Sequence, residues 1–197
     1  GAYQWSTYDS TPYVLLNYNG TIDSVSTMAH ELGHAMHSYY SKENQSYAYH
    51  DYPIFLAEIA STVNEVLLNE YLTKNAKNKE EKMYYIVDML DTIKSTIYRQ
   101  VQFAEFEMLM HDKEENKVPL TAEEFNKTYY ELNKAYYGDN IISDEEIKYE
   151  WARIPHFYSS FYVYKYATGL ACAIHIATKI LKGDNNMRDK YLEFLSS

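Results

Sequence analysis

The spacing of apolar residues predicts that most of this chain is helical. Residues 22–42 place seven apolar side chains three or four positions apart, as one face of a helix requires: Val25, Met28, Ala29, Leu32, Met36, Tyr39 and Tyr40. Asp23 or Ser24 suits the cap at the start of this helix. The same spacing predicts four further long helices, one beginning near Pro53 and the others covering about 83–111, 121–137 and 159–182.

One segment near the N-terminus has β-sheet character instead. The run 13–18 is rich in Tyr, Val and Leu, and Asn19-Gly20, a dipeptide typical of tight turns, follows it. We therefore predict one short strand or hairpin there. Only six Gly and four Pro punctuate the 197 residues, which disfavours a turn-rich sandwich or barrel. The predicted class is mainly α, in a single domain covering residues 1–197.

Charge and cysteine content narrow the functional classes. The chain has 18 Lys plus Arg against 28 Asp plus Glu, a formal net charge of −10, which disfavours nucleic-acid and membrane-surface binding. No stretch approaches the roughly 20 apolar residues of a membrane span. The single Cys172 excludes an internal disulfide framework and suits a reducing compartment, so we expect a cytoplasmic protein. Because Cys172 lies in an apolar run, we expect a buried, inert thiol.

The first predicted helix carries a metal-binding motif. His30-Glu31-Leu32-Gly33-His34 matches H-E-x-x-H. Residues i and i+4 lie on one helix face, so both imidazoles can reach a single metal ion. Glu31 lies about 100° around the helix, where it can contact a metal-bound water without being a ligand. Zinc suits two neutral imidazoles plus a carboxylate, so the motif predicts one zinc ion per chain.

The third protein ligand is not fixed by this motif. The extended pattern H-E-x-x-H-x-x-G-x-x-H fails, because position 37 is His and position 40 is Tyr. Glu58, 24 residues after His34, lies opposite the apolar stripe of the second helix and is the candidate. Glu65 shares that face and could hydrogen-bond a liganding imidazole. The alternative for either carboxylate is a solvent-exposed position on the helix.

The remaining histidines have plain structural interpretations. His37 could line the cleft, or lie at the surface or behind the ligands. His50 falls in a polar loop and is expected to be solvated. His111 ends a helix, where a cation is favourable. His175 has apolar neighbours and is expected to be a core residue.

Several segments together resemble one enzyme family. The stretches 30–37, 53–62 and 155–158, with 1–3 and 12–17, resemble the oligoendopeptidase F branch of the thimet oligopeptidase-like zinc metallopeptidases. The resemblance implies a zincin-like helical catalytic domain with a short strand or hairpin near the N-terminus. It also implies the C-terminal catalytic portion of a longer protein, with a large N-terminal part absent here and a short C-terminal part after Ser197. The exposed face left by the missing part would favour self-association.

The resemblance also implies an activity and a set of site residues. The implied zinc ligands are His30, His34 and Glu58, and the implied catalytic carboxylate is Glu31. The implied reaction is hydrolysis of internal bonds in short, unfolded oligopeptides, by a zinc-activated water with Glu31 as general base. The strand near 13–18 could pair with an extended substrate, or be an ordinary edge strand.

A tyrosine-rich segment is the expected source of oxyanion stabilisation. Tyr158, Tyr162 and Tyr166 recur every four residues, so they would form one stripe if the segment were helical. The resembled family carries a His followed by spaced tyrosines here, although matching them requires a one-residue shift. We expect His156 and Tyr166, then Tyr162, to have this role, and Tyr158 and Tyr164 to be core residues.

Two other functions fit the same sequence. A zinc carboxypeptidase or dipeptidase on a similar scaffold needs a cation for the substrate's terminal carboxylate, and Arg153, close to His156, keeps that alternative open. The second alternative is a non-catalytic domain that binds peptides or holds a structural zinc ion. The presence of Glu31 argues against it, because a structural site needs no general base.

Overall fold

The structure, a computed structural model, describes all 197 residues and is mainly helical, as predicted. Its elements are β1 (Ala2–Trp5), β2 (Tyr13–Leu16), α1 (Ile22–Asn44), α2 (Ile54–Lys74), α3 (Lys79–Ile93), α4 (Arg99–Glu115), α5 (Ala122–Tyr137), α6 (Tyr164–Leu181) and α7 (Asn185–Phe194). A π-helical turn at Lys94–Tyr98 and 3₁₀ helices at Glu145–Arg153 and Pro155–Tyr158 complete the list. No helix has the length and apolar character needed to span a membrane.

Helix boundaries follow local signals at most ends. Thr21, rather than Asp23 or Ser24, caps α1, because its side chain accepts a hydrogen bond from the Ser24 amide at 3.3 Å. Pro53 precedes α2, where a residue without an N–H leaves no helical bond unmade. Gly138, at φ +70°, ends α5 in the left-handed conformation that glycine adopts without a steric penalty.

The strand or hairpin predicted near the N-terminus is confirmed: β1 pairs antiparallel with β2, with Tyr3 opposite Leu15 and Trp5 opposite Tyr13. Two details of the last helices differ from the predictions. The last long helix was predicted to start near 159, but α6 starts at Tyr164 because Phe161 has a φ of +52°, which no helix tolerates. No helix is predicted after Gly183, yet Asp184 caps α7 there.

The chain folds into two compact units, residues 1–92 with 169–197 and residues 93–168. A single domain over 1–197 therefore stays a prediction. In the first unit α1 packs against α2, with closest approach at Gly33. A Cβ atom on Gly33 would lie 2.5 Å from Ser61 Cα and 2.7 Å from Ala60 O, so only glycine allows this separation of the helix backbones.

The buried face of α1 is not its apolar stripe. Its buried residues are small or polar, namely Ser24, Glu31, Gly33, His37, Ser38 and Ser41. Four members of the predicted stripe are instead among the exposed residues of the structure: Met28, Leu32, Met36 and Tyr39. Side chains this large could not fit where the two backbones meet at Gly33. The hydrophobic core of this unit comes mainly from α2 and α6.

Two expected core residues of α6 are exposed. Leu170, Ala173 and Ala177 are buried, at the spacing of one helix face. Cys172 and His175 lie on other faces and are exposed, so the predictions of a buried thiol and a core histidine were wrong. An apolar run within a helix identifies hydrophobic surroundings in sequence, but not the direction of each side chain.

The second unit has an aromatic core. Phe103, Phe106 and Met110 of α4 pack against Tyr129 and Leu132 of α5. The rings of Phe106 and Tyr129 meet edge to face, with centroids 5.2 Å apart. The segment 154–163 closes this core through its apolar side chains.

Candidate metal centre

Two helices of the first unit bring three metal-binding side chains together. His30 and His34 lie one turn apart on α1, with their Nε2 atoms 3.1 Å from each other. Glu58, from α2, places Oε2 3.6 Å from His30 Nε2 and 4.0 Å from His34 Nε2. The three potential ligand atoms all lie within 4.8 Å of one another. One ion of zinc's size, bound at about 2.0–2.2 Å from each donor, can therefore serve all three groups.

Neighbouring side chains of α2 orient two of these groups. Ser61 Oγ donates a hydrogen bond to Glu58 Oε2 at 3.3 Å. Glu65 contacts Nδ1 of His30, on the far side of the ring from Glu58. A carboxylate in this position selects the tautomer in which Nε2 carries the free lone pair. The predicted alternative of a solvated Glu65 therefore does not apply.

Burial and neighbouring charges separate the pKa values of the two histidines. Burial, with the charge of His30, lowers the pKa of His34 to about 4, so this imidazole is neutral at pH 7. Burial also acts to lower the pKa of His30, but the hydrogen bond and charge of Glu65, with the charges of Glu58 and Glu31, raise it overall. Burial therefore dominates at His34, whereas the neighbouring carboxylates dominate at His30.

Glu31 lies beside this cluster and is not one of its three members. Its side chain belongs to the buried face of α1, with only 7% of the residue exposed. Burial and the charge of Glu58 raise the pKa of Glu31, while the charge of His30 and the backbone amide of Gln4 oppose that change. A buried carboxylate one residue from a ligand is the arrangement expected of a general base.

His37 neither lines a cleft nor lies at the surface. It is fully buried, and its ring stacks on Tyr52 with centroids 3.6 Å apart. Tyr52 in turn donates to the backbone oxygen of His34 at 3.4 Å and shares a hydrogen bond of 2.7 Å with Ser38. His37 thus supports the C-terminal half of α1, behind the metal-binding motif.

The second unit brings His156, Tyr162 and Tyr166 into one cluster. Tyr166 Oη lies 3.3 Å from His156 Nε2. The rings of His156 and Tyr162 are stacked with centroids 5.7 Å apart, and the rings of Tyr162 and Tyr166 meet edge to face at 5.6 Å. Tyr158 does not join them, because no continuous helix forms, and it is 90% exposed. Tyr164 is 44% exposed, so neither Tyr158 nor Tyr164 is the core residue that we expected.

The arginine that supported a carboxypeptidase is already paired. Arg153 forms an ion pair with Glu150, and Arg99 pairs with the same carboxylate oxygen. Tyr129 donates a further hydrogen bond to Glu150 at 2.6 Å, and the pKa of Glu150 stays low despite burial. The charge of Arg153 is therefore partly neutralised.

Comparison with known proteins assigns the chain to a family. The model of peptidase family M3 matches residues 1–197, which is the whole chain. The chain belongs to peptidase family M3. Oligopeptidase PepF of Bacillus subtilis (strain 168) is 45% identical over 197 residues, and an oligoendopeptidase F homolog of Lactococcus lactis subsp. lactis (strain IL1403) is 48% identical over the same length. The resemblance noted in the sequence is thereby confirmed.

Solved structures of similar chains share the fold of this family M3 chain. A crystal structure of a Chlamydophila abortus protein is 52% identical over the whole chain, with a TM-score of 0.91. A crystal structure of oligoendopeptidase-F from Enterococcus faecium is 44% identical over 89% of the chain, with a TM-score of 0.79. The chain spans about a third of the length of the relatives it matches, from 29% to 33% in these four.

Some residues around the two clusters could not be found from sequence patterns. Gly33 occupies a position of the H-E-x-x-H motif that any residue can fill, and its role depends on the approach of α2. For Glu65 the sequence allowed two alternatives, a hydrogen bond to a liganding imidazole such as His30 or a solvent-exposed position. Glu107, which bonds the backbone next to Tyr162, is 54 residues away from its partner in sequence and gave no signal.

Proposed function

We propose that residues 1–197 are the catalytic portion of a longer zinc endopeptidase that hydrolyses internal bonds of short, unfolded oligopeptides. The observation that carries the proposal is the convergence of His30, His34 and Glu58 within 4.8 Å, beside the buried Glu31. Family membership supports peptidase chemistry, and the names of the relatives support oligopeptides as the substrate class.

The donor set fits a catalytic zinc ion better than a structural one. Two imidazoles and one carboxylate are a common catalytic set, whereas structural sites have four protein ligands, usually with several thiolates. The only cysteine, Cys172, is not among these donors. When bound, zinc would supply a Lewis acid that polarises the scissile carbonyl and lowers the pKa of water. We assign the three ligand roles to His30, His34 and Glu58.

Glu31 has the proton-transfer role in this proposal. Its carboxylate accepts a proton from the attacking water and passes that proton to the leaving amine. Gln4, whose backbone amide interacts with Glu31, and the helix position next to His30 hold this carboxylate in place. Glu65 holds the ring of His30, and Ser61 holds Glu58, so these two ligand roles each depend on a second residue of this chain.

We assign oxyanion stabilisation to His156 and Tyr166, with Tyr162 next. Each can donate a hydrogen bond, and donors preorganised toward developing charge are worth about 2.7–4 kcal/mol each in enzymes. Their mutual contacts, at 3.3 Å between Tyr166 Oη and His156 Nε2, favour a shared function over three separate packing roles. The hairpin is the proposed docking element for an extended substrate, because each strand of a two-stranded sheet has one unpaired edge.

The test uses the full-length protein, the form in which the complete cleft is expected. Zinc content is measured by elemental analysis, and cleavage of one peptide is compared with cleavage of the same peptide blocked at both ends. We expect one zinc ion per chain, loss of activity on chelation, and internal cleavage of both peptides. Cleavage of the free peptide alone, one or two residues from an end, would instead indicate a carboxypeptidase or dipeptidase. Zinc without any hydrolysis would favour a structural or binding role.

A further inference from the structure

A strained residue precedes the tyrosine cluster. Phe161 has a φ of +52°, in the left-handed region that a bulky residue adopts only when its surroundings impose it. Its backbone N–H donates a hydrogen bond of 2.6 Å to Glu107 Oε1, across 54 residues of sequence. The ring of Phe161 also lies 4.6 Å from the ring of His111, one turn further along α4. Two residues of α4 therefore contact this one strained position.

Burying the carboxylate of Glu107 at this position is unfavourable for the free energy of folding. The residue is only 5% exposed, and its second oxygen, Oε2, accepts no hydrogen bond from the protein. Its one protein partner is the Phe161 amide. A buried carboxylate with a single hydrogen bond is a net cost to folding, and an apolar side chain of similar size would fit this aromatic core more favourably. The arrangement calls for a reason other than stability.

The bond fixes the backbone immediately before Tyr162. Phe161 lies in the turn between the 3₁₀ helix 155–158 and α6. The amide of Tyr162 donates to Ser159 O at 3.1 Å, so the same tight turn sets the direction of the Tyr162 side chain. His156 lies before this turn, and Tyr166 after it. The relative position of the three members of the cluster therefore depends on the φ of Phe161.

We infer that Glu107 is a positioning residue for the His156–Tyr162–Tyr166 cluster, acting by holding the Phe161 amide in the left-handed turn. Glu107 does not touch substrate in this scheme. The inference rests on the proposed oxyanion role of the cluster, and it adds a residue from a different helix to the parts on which turnover depends.

The main experiment replaces Glu107 without emptying its site. Glu107→Met in the full-length protein keeps the length of the side chain and removes the acceptor, and Glu107→Gln keeps an acceptor oxygen. We expect Glu107→Met to be at least as thermally stable as the wild type, with kcat lowered about 10-fold to 100-fold and KM and zinc content nearly unchanged, because only placement is lost. Glu107→Gln should recover most of kcat.

A matched control separates positioning from general packing. Glu105, also on α4, accepts a hydrogen bond of 2.7 Å from Tyr136 and has no contact with the turn. Glu105→Met should leave kcat unchanged. Amide exchange of the 157–164 peptide, followed by mass spectrometry, should rise in Glu107→Met and stay at the wild-type level in Glu107→Gln and Glu105→Met. In a Phe161→Gly background, Glu107→Met should cost less, because glycine adopts this conformation without being held.

The outcomes distinguish the positioning role of Glu107 from the oxyanion role of the His156–Tyr162–Tyr166 cluster. Unchanged kcat or unchanged 157–164 exchange in Glu107→Met, with Tyr162→Phe or Tyr166→Phe strongly impaired, refutes the inference alone. Full kcat in both tyrosine variants refutes the oxyanion role and the inference with it. Equal losses of kcat in Glu107→Met and Glu105→Met would show that α4 matters only for packing, and would also refute the inference.

Discussion

The close approach of α1 and α2 makes Gly33→Ala the sharpest test of how the fold supports the metal centre. The new Cβ atom would lie 2.5 Å from Ser61 Cα, 2.7 Å from Ala60 O and 2.9 Å from Ser61 N. All three are backbone atoms, so no side-chain rotation relieves the overlap. Ordinary contact begins near 3.4 Å, so the helices must separate locally by about 0.9 Å.

The two consequences of this separation differ in size. Overpacking costs about 1–3 kcal/mol, but alanine is favoured over glycine within a helix by about 1 kcal/mol, so the free energy of unfolding changes little or falls by up to about 2 kcal/mol. Metal binding is far more sensitive, because donor distances in a zinc site must hold to about 0.2 Å. His30 and His34 move with α1 while Glu58 stays on α2. We expect zinc affinity to fall by at least about 10-fold to 100-fold.

The assay is competition for zinc with a chromophoric chelator, alongside thermal unfolding of the metal-free protein. Gly169→Ala is the matched control, since Gly169 is also helical and its Cβ would lie 4.0 Å from Glu58 Cβ, an ordinary contact. That variant should bind zinc normally and gain up to about 1 kcal/mol of stability. Wild-type zinc affinity in Gly33→Ala would show that the helix separation does not set the ligand geometry.

Four further predictions follow from the site and the fold. Glu31→Gln should retain zinc and lose hydrolysis by about 10²–10⁴-fold, because it keeps shape but cannot accept the proton; loss of zinc in that variant would make Glu31 a ligand. Tyr166→Phe should lower kcat and kcat/KM together in steady-state kinetics, with little change in KM, and an unimpaired Tyr166→Phe beside an impaired Tyr162→Phe would exchange their roles. Residues 1–197 alone should hydrolyse peptides poorly and self-associate in sedimentation experiments, and turnover equal to that of the full-length protein would contradict this. Because burial lowers the pKa of His37 from 6.5 to about 4, the folded state holds it neutral, so stability present above pH 6.5 should fall by up to about 3 kcal/mol as the pH drops to 4; denaturant titration should show that loss reduced in His37→Gln.

The parts of the fold that could be predicted are those with local causes. α1 and α5 start at threonine caps, α2 starts after Pro53 and α5 ends at Gly138, and the periodicity of all three helices extends over many turns. β1 has only four residues, too few for their alternation to identify a strand. The start of α6 was misplaced for a different reason, because the amide of Phe161 bonds a carboxylate from another helix.

The residues of the candidate site could likewise be predicted only where their placement has a local cause. His30, Glu31 and His34 were visible because a helix places residues one and four positions apart in fixed directions. Glu58 depended on the return of a second helix, so residue patterns alone left it open and the family resemblance was needed. The four-residue spacing does bring Tyr162 and Tyr166 into contact, but Tyr158 is excluded and His156 joins them across a turn rather than along a helix.

The burial of α1 shows what periodicity can and cannot decide. The apolar stripe of this helix exists, since Met28, Leu32 and Met36 share one face, but the opposite face is buried against α2. Large apolar side chains at that interface would move the two helices apart, whereas the ligands on both helices must reach one ion. Small and polar residues at the interface, with Gly33 at its centre, satisfy that requirement. The stripe is then left exposed in residues 1–197, and in a chain that spans about a third of its relatives we expect another part of the full-length protein to cover it.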